Sequence, residues 1–117
     1  MKPVHSTLAA GRWFKMTLAE QLGNVGSEYE RAVRCKQRND LHHFERAFDR
    51  MLELLDLTIG DHRWKNHRLK ELVRLREVIC EEFWDTEPSE VGSFTKYFMN
   101  FALLARHRQQ SCNTSSE

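Results

Sequence analysis

The sequence predicts an all-α fold, an up-down-up-down four-helix bundle, on three observations. Apolar residues recur at spacings of three and four through most of the chain, the period of a helix with one buried face. Helix-start signals stand ahead of three of these stretches: Thr17 with Glu20, then Asp40, then Ser93. The breaks between stretches are short and polar, which favours neighbouring helices running in alternate directions. A chain of 117 residues with 40% hydrophobic content suffices for one domain around one core.

Residues 1–12 hold Pro3, Gly11 and no periodicity, so a loose N-terminal arm is expected to lead into a bundle over residues 13–107. Thr17 and Glu20 match the capping box, in which the hydroxyl takes one free amide of the first turn and the carboxylate another. The first helix is therefore expected to start at Leu18 and to run to about Gln37. Leu22, Val25, Tyr29 and Val33 continue its core stripe. Ala19, Gly23 and Ser27, with Gly26 beside them, make a second row of small side chains that lets another backbone come close. Two glycines inside a helix each cost roughly 1 kcal/mol relative to alanine, so the row has a packing reason. Either another helix of the same chain fills it, or Gly23 and Gly26 form a subunit or partner contact.

Asp40 is the expected cap of the second helix, which ends at Gly60 and carries Leu41, Phe44, Phe48, Leu52, Leu55 and Ile59 as its stripe. Its other flank bears Glu45, Asp49, Glu53 and Asp56, like charges one turn apart that call for compensation. The third helix is expected from between Asp61 and Asn66 to about Trp84, with Leu69, Leu72, Val73, Ile79, Cys80 and Phe83 inward. Arg76 falls inside that stripe, and the acidic flank is its expected partner in a buried ion pair, since an unpaired buried charge is costly. Pro88 breaks the chain, Ser93 is expected to cap the fourth helix to about His107, and residues 108–117 are expected to form a disordered polar tail. The fourth helix is apolar nearly all round, with Phe94, Tyr97, Phe98, Phe101, Leu104 and Ala105 on one face and Met99 and Leu103 on the other. The second face is open to another subunit or to the arm, and homo-oligomerisation is the expectation.

The net charge of +1 hides a segregation of charge. The bundle topology gathers Arg12, Trp13, Lys15, Arg63, Trp64, Lys65, Arg68 and Lys70 at one end. Cations interleaved with indoles suit a nucleic-acid strand, because the cations meet phosphates while the indoles stack on bases. The other reading is that Trp13 and Trp64 close the bottom of the core under an ordinary solvated surface.

Catalytic motifs are missing. The sequence has no E-x-x-H pair of the kind that holds metals in bundles, no HExxH, no phosphate-binding loop and no GxSxG. The nearest constellation, His42 with Glu45 and Asp49, reads as a solvated or ion-paired flank. A non-enzymatic protein without metal or cofactor is expected, either a nucleic-acid-associated accessory protein or a protein-protein adaptor with no nucleic-acid role. As an adaptor, its fourth helix or its Gly23 and Gly26 face would dock a different protein. The three cysteines, Cys35, Cys80 and Cys112, share no CxxC spacing, which points to a reducing compartment. With no apolar run at the N-terminus, a cytoplasmic location is expected.

The segments LAEQLGNVGSEYERAV and FERAFDRMLELLDLTI resemble a small bacterial four-helix-bundle group. That group contains the ribosomal-RNA intervening-sequence proteins and the accessory variability proteins of diversity-generating retroelements. The likeness covers about residues 13–59 and rests on the small-residue patch and the general layout. It implies a ring-forming, non-enzymatic bundle that binds RNA or DNA and a reverse-transcriptase partner.

Overall fold

A computed structural model describes residues 11–115; most of the expected N-terminal arm, residues 1–10, lies outside the described residues. Regular structure among the described residues is helical throughout. Helix α1 (Leu18–Gln37) packs along α2 (Leu41–Ile59) on one side and along α4 (Thr95–Ser115) on the other, while α3 (His67–Asp85) packs on α2. Short 3-10 turns, His62–Trp64 and Pro88–Glu90, lie in the last two connections.

The start of α1 is set locally. The Glu20 amide donates to Thr17 Oγ1 at 3.1 Å and the Thr17 amide to Glu20 Oε1 at 2.9 Å, so the capping box is complete. At the other end Asn39 adopts φ 57°, a left-handed conformation that asparagine tolerates well, and Asp40 then caps α2 by accepting from the His43 amide at 3.3 Å. Because α1 has neighbours on two sides, Leu22, Val25, Tyr29 and Ala32 lose almost all their exposure.

Aromatic rings fill the centre. Tyr29 lies 5.6 Å from Phe83 and 5.2 Å from Phe98, and Phe83 meets Phe44 and Phe48. The Tyr29 hydroxyl donates to Glu82 Oε1 at 2.5 Å and accepts from the Phe94 amide at 3.0 Å. Glu82 in turn accepts from both the amide and the hydroxyl of Ser93. One buried carboxylate thus ties α1, α3 and the approach to α4 together.

The row of small residues on α1 receives α4. A Cβ built on Gly26 would stand 2.4 Å from Phe98 Cβ, and one on Gly23 3.3 Å from Ala102 Cα. The glycines are therefore spent on packing within the chain, and Gly26 is buried rather than offered to a subunit or partner.

Other expectations change in detail. Leu41, at the first residue of α2, is exposed, and the buried face of that helix is Phe44, Ala47, Phe48, Met51, Leu54, Leu55 and Thr58. On α3, Val73 is exposed and Leu75 is buried with Leu72, Ile79 and Phe83. Arg76 Nε does bind Asp56 of the acidic flank at 2.8 Å, but its side chain is 37% exposed, so the pair sits in water and not in the core. Ser93 spends its hydroxyl on Glu82, and α4 begins at Thr95. It continues to Ser115, past the expected end near His107, because no glycine or proline interrupts residues 93–115. No described helix is long and apolar enough to cross a membrane.

Candidate interaction surfaces

The end of the bundle where α1 begins is closed by polar contacts. Trp13 is 5% exposed and its indole Nε1 donates to Thr58 Oγ1 at 3.1 Å. Trp64 Nε1 donates to Gln21 Oε1 at 2.8 Å, while Gln21 Nε2 donates to the Trp13 carbonyl at 2.9 Å and to Asp61 Oδ2 at 3.0 Å. Asp61, only 3% exposed, also accepts from the Arg63 amide at 3.0 Å and from Arg63 Nη2 at 2.7 Å. The same guanidinium donates to the Met16 carbonyl at 2.6 Å and lies 4.5 Å over the Trp64 ring. Burial pushes the Asp61 carboxyl up, but the hydrogen bonds from Arg63 and Gln21 outweigh it and hold the group at about 2. An aspartate two residues before an arginine in a short turn is the local signal for this arrangement, through the side-chain-to-backbone bond of such turns.

Both indoles and Arg63 are thus occupied in closing the core. Arg12, Lys15, Lys65 and Lys70 remain exposed and form no ion pair among the described residues. Arg68 is exposed and lies 3.9 Å from Glu71.

The outer row of α4 is uncovered. Phe98 turns into the core and Tyr97 and Phe101 are half-buried, whereas Met99 is 54% and Leu103 53% exposed, with Leu104 close behind. Met99 and Leu103 lie one turn apart on one edge of α4, whereas Leu104, expected on the inward face with Phe101, stands about 100° round the helix from Leu103 and is exposed as well.

At the far end of α1 the charges are left open. A cleft of about 650 Å³ is lined by Arg31, Arg34, Arg38, Glu30, Asp40 and His43, among others. Arg31 lies 3.4 Å from Glu28, but Arg34 and Arg38 are exposed and form no salt bridge among the described residues, Arg38 acting on Asp40 only through its charge. Glu30 is engaged by the Thr95 hydroxyl, and Asp40 by the His43 ring at 2.8 Å, a bond that holds the Asp40 carboxyl below its ordinary range. On another side of this end Trp84 is 62% exposed, touching Phe44 and Phe48 by ring edges with the Lys36 ammonium 4.9 Å above it. Sequence reasoning assigned Trp84 no surface role. Its signal is a tryptophan set among Glu81, Glu82 and Asp85, residue types that seldom surround a core position.

Among the described residues no three His, Cys, Asp or Glu side chains stand close enough to hold a metal ion, and His42, Glu45 and Asp49 are all exposed. Burial raises the Cys80 thiol away from the reactive thiolate, and Cys35 is buried. Burial, reinforced by the Glu82 bond, likewise drives the Tyr29 phenol far up, so it keeps its proton as a structural donor. Comparison with protein-family models, curated proteins and solved structures finds no match to this chain.

Proposed function

We propose that the chain is a non-enzymatic, cytoplasmic accessory protein, an up-down-up-down four-helix bundle that works as a homo-oligomer. The observation that carries this reading is the outer row of α4, where Met99 and Leu103 stay in water although the rest of the core is closed. Each side chain moved out of water against a second copy contributes roughly 25 cal/mol per Å² of apolar surface buried. The helix contacts support the alternate order: Gln21 near the start of α1 meets Asp61 just past the end of α2, and Glu30 near the end of α1 meets Thr95 at the start of α4.

A second reading concerns nucleic acid, and Arg12, Lys15, Lys65 and Lys70 favour it because they are exposed and lack ion pairs among the described residues. Since the two indoles have internal partners, contact here would be mainly with phosphates and little with bases. The resemblance adds a reverse-transcriptase-like protein as the partner of such an assembly.

Sedimentation velocity over a range of concentrations tests the first reading. The wild-type chain should sediment as a multimer, and Met99→Glu with Leu103→Glu should return it to a monomer of unchanged helix content. A wild type that stays monomeric at the highest concentration defeats the proposal. For the second reading, anisotropy of a labelled single-stranded RNA should rise on titration and weaken with salt, with a slope of about −0.7 per phosphate contacted. Lys65→Glu with Lys70→Glu should abolish that signal, and binding that ignores both the salt and the substitutions would remove the basic end from the account.

A further inference from the structure

If copies assemble, the charges indicate which surfaces meet. We propose that they join head to tail, the α3 strip Glu77, Glu81, Trp84 and Asp85 of one copy docking in the Arg31, Arg34 and Arg38 cleft of the next. This deepens the assembly reading above and rests on it.

Both surfaces keep charges that form no ion pair among the described residues, Arg34 and Arg38 on one and Glu81 and Asp85 on the other. The two arginines line the cleft beside Glu30 and Asp40 without a salt bridge to either, and Glu81 and Asp85 are likewise exposed. Glu77 reaches only Arg74, at 3.7 Å, and both side chains are well exposed. The two carboxylates inside the cleft, Glu30 and Asp40, take hydrogen bonds from Thr95 and His43, and Arg38 acts on Asp40 only through its charge, so both arginines keep guanidinium donors open to an outside acid.

Within one copy these surfaces are kept apart. Lys36 lies on the side of α1 that faces Trp84. Arg34 and Arg38 are each two residues from Lys36, and so roughly 200° round the helix from it at about 100° per residue. A second molecule is needed to bring arginines and acids together. Two different patches that fit each other, but not themselves, define a heterologous contact, in which each copy uses one patch on each neighbour.

The dimensions agree. From Arg31 to Arg38, and from Glu77 to Trp84, the chain advances two helical turns, about 10 Å at 1.5 Å per residue. Guanidiniums and carboxylates can therefore meet in register, with bidentate geometry open to each arginine. Trp84 supplies the apolar anchor. Its indole is the most exposed large apolar group described, and guanidiniums are its natural neighbours through the ring face. The cleft also opens onto the α4 edge, because Ser27 and Glu30 line both it and the groove that ends at Met99. A helix seated on the arginines would thus extend towards the row invoked above.

Charge reversal tests the docking on the full-length chain by sedimentation velocity. Arg34→Glu with Arg38→Glu should give a monomer, as should Glu81→Arg with Asp85→Arg, each with wild-type helix content by circular dichroism. An equimolar mixture of the two variants should assemble again, because the reversed cleft of one matches the reversed strip of the other. The proposal is overturned if either variant sediments like the wild type, or if two folded monomeric variants fail to assemble on mixing. Should a reversed variant not fold, Trp84→Ala decides: at least tenfold weaker association is expected, and unchanged association overturns the docking. A monomeric wild type would instead overturn the assembly reading itself. A multimer lost on Leu103→Glu but indifferent to all charge reversals would leave that reading standing and remove only this contact.

Discussion

The two ends of α1 treat their polar groups in opposite ways. At the start, Gln21, Asp61, Arg63 and two indoles spend their donors and acceptors on one another, and the core is closed beneath a charged surface. At the finish, Arg34, Arg38, Glu81 and Asp85 stand in water on separate sides of the helix, and Trp84 is left in the open. Residue type does not explain the difference, since both ends are rich in arginine, acid and tryptophan. What differs is reach. Asp61 sits in a turn within reach of Gln21 and Arg63, whereas the far-end charges lie on exposed faces of α1 and α3. Satisfied and buried polar groups specify the fold, and unsatisfied exposed ones are available to a partner.

The strongest test of that contrast is Asp61→Ala. It takes an acceptor from the buried Gln21 amide and the anchor from Arg63, whose side chain is 41% exposed, and should cost about 2 kcal/mol in urea unfolding. The same network predicts a pH dependence. The Asp61 carboxyl is held below its ordinary 3.8, at about 2, so it contributes stability above the unfolded value and loses it as the pH falls through the folded one. Unfolding free energy should drop by roughly 2 kcal/mol between about pH 5 and pH 2 on this account, and Asp61→Asn should flatten that part of the profile.

A smaller effect is expected where α4 meets the glycine row. Gly26→Ala gains about 1 kcal/mol of helix propensity but forces its Cβ into Phe98, and should destabilise by about 1–2 kcal/mol overall. Gly23→Ala meets Ala102 at 3.3 Å and should be far milder, so a thermal melt that ranks the two in reverse would put α4 elsewhere. The smallest changes belong to the open charges. Arg76→Ala removes a water-exposed pair with Asp56 and should cost under about 1 kcal/mol, and Arg34→Ala no more than that. If Arg34→Ala destabilised the monomer as much as Asp61→Ala, the two ends would not differ in the way described.

Much of the helical framework was legible in the chain because its signals are local. Thr17 with Glu20 and Asp40 with His43 act across three residues, and both caps stand where their sequence places them. The small-residue row was legible too, as a demand for close packing, although whose backbone filled it was not. The fourth helix shows the limit. Its apolar character was plain and its length past His107 follows from the lack of a glycine or proline, yet the loss of Ser93 to Glu82 depends on a residue of the preceding helix.

The two tryptophans draw the same line more sharply. As sequence, Trp13 and Trp64 among cations fit stacking on bases and closing a core equally well. The partners that separate those roles are Thr58, 45 residues from Trp13, and Gln21, 43 residues from Trp64. Arg63 differs from Lys65 locally by the aspartate two residues before it, but that it also reaches the Met16 carbonyl, 47 residues away, depends on the tertiary structure. The chain alone determined where helices begin and which faces are apolar, because caps and periodicity act within one or two turns. Which charges pair, which indoles are buried and which apolar row stays uncovered were decided by the tertiary structure, because each depends on groups brought together from tens of residues away.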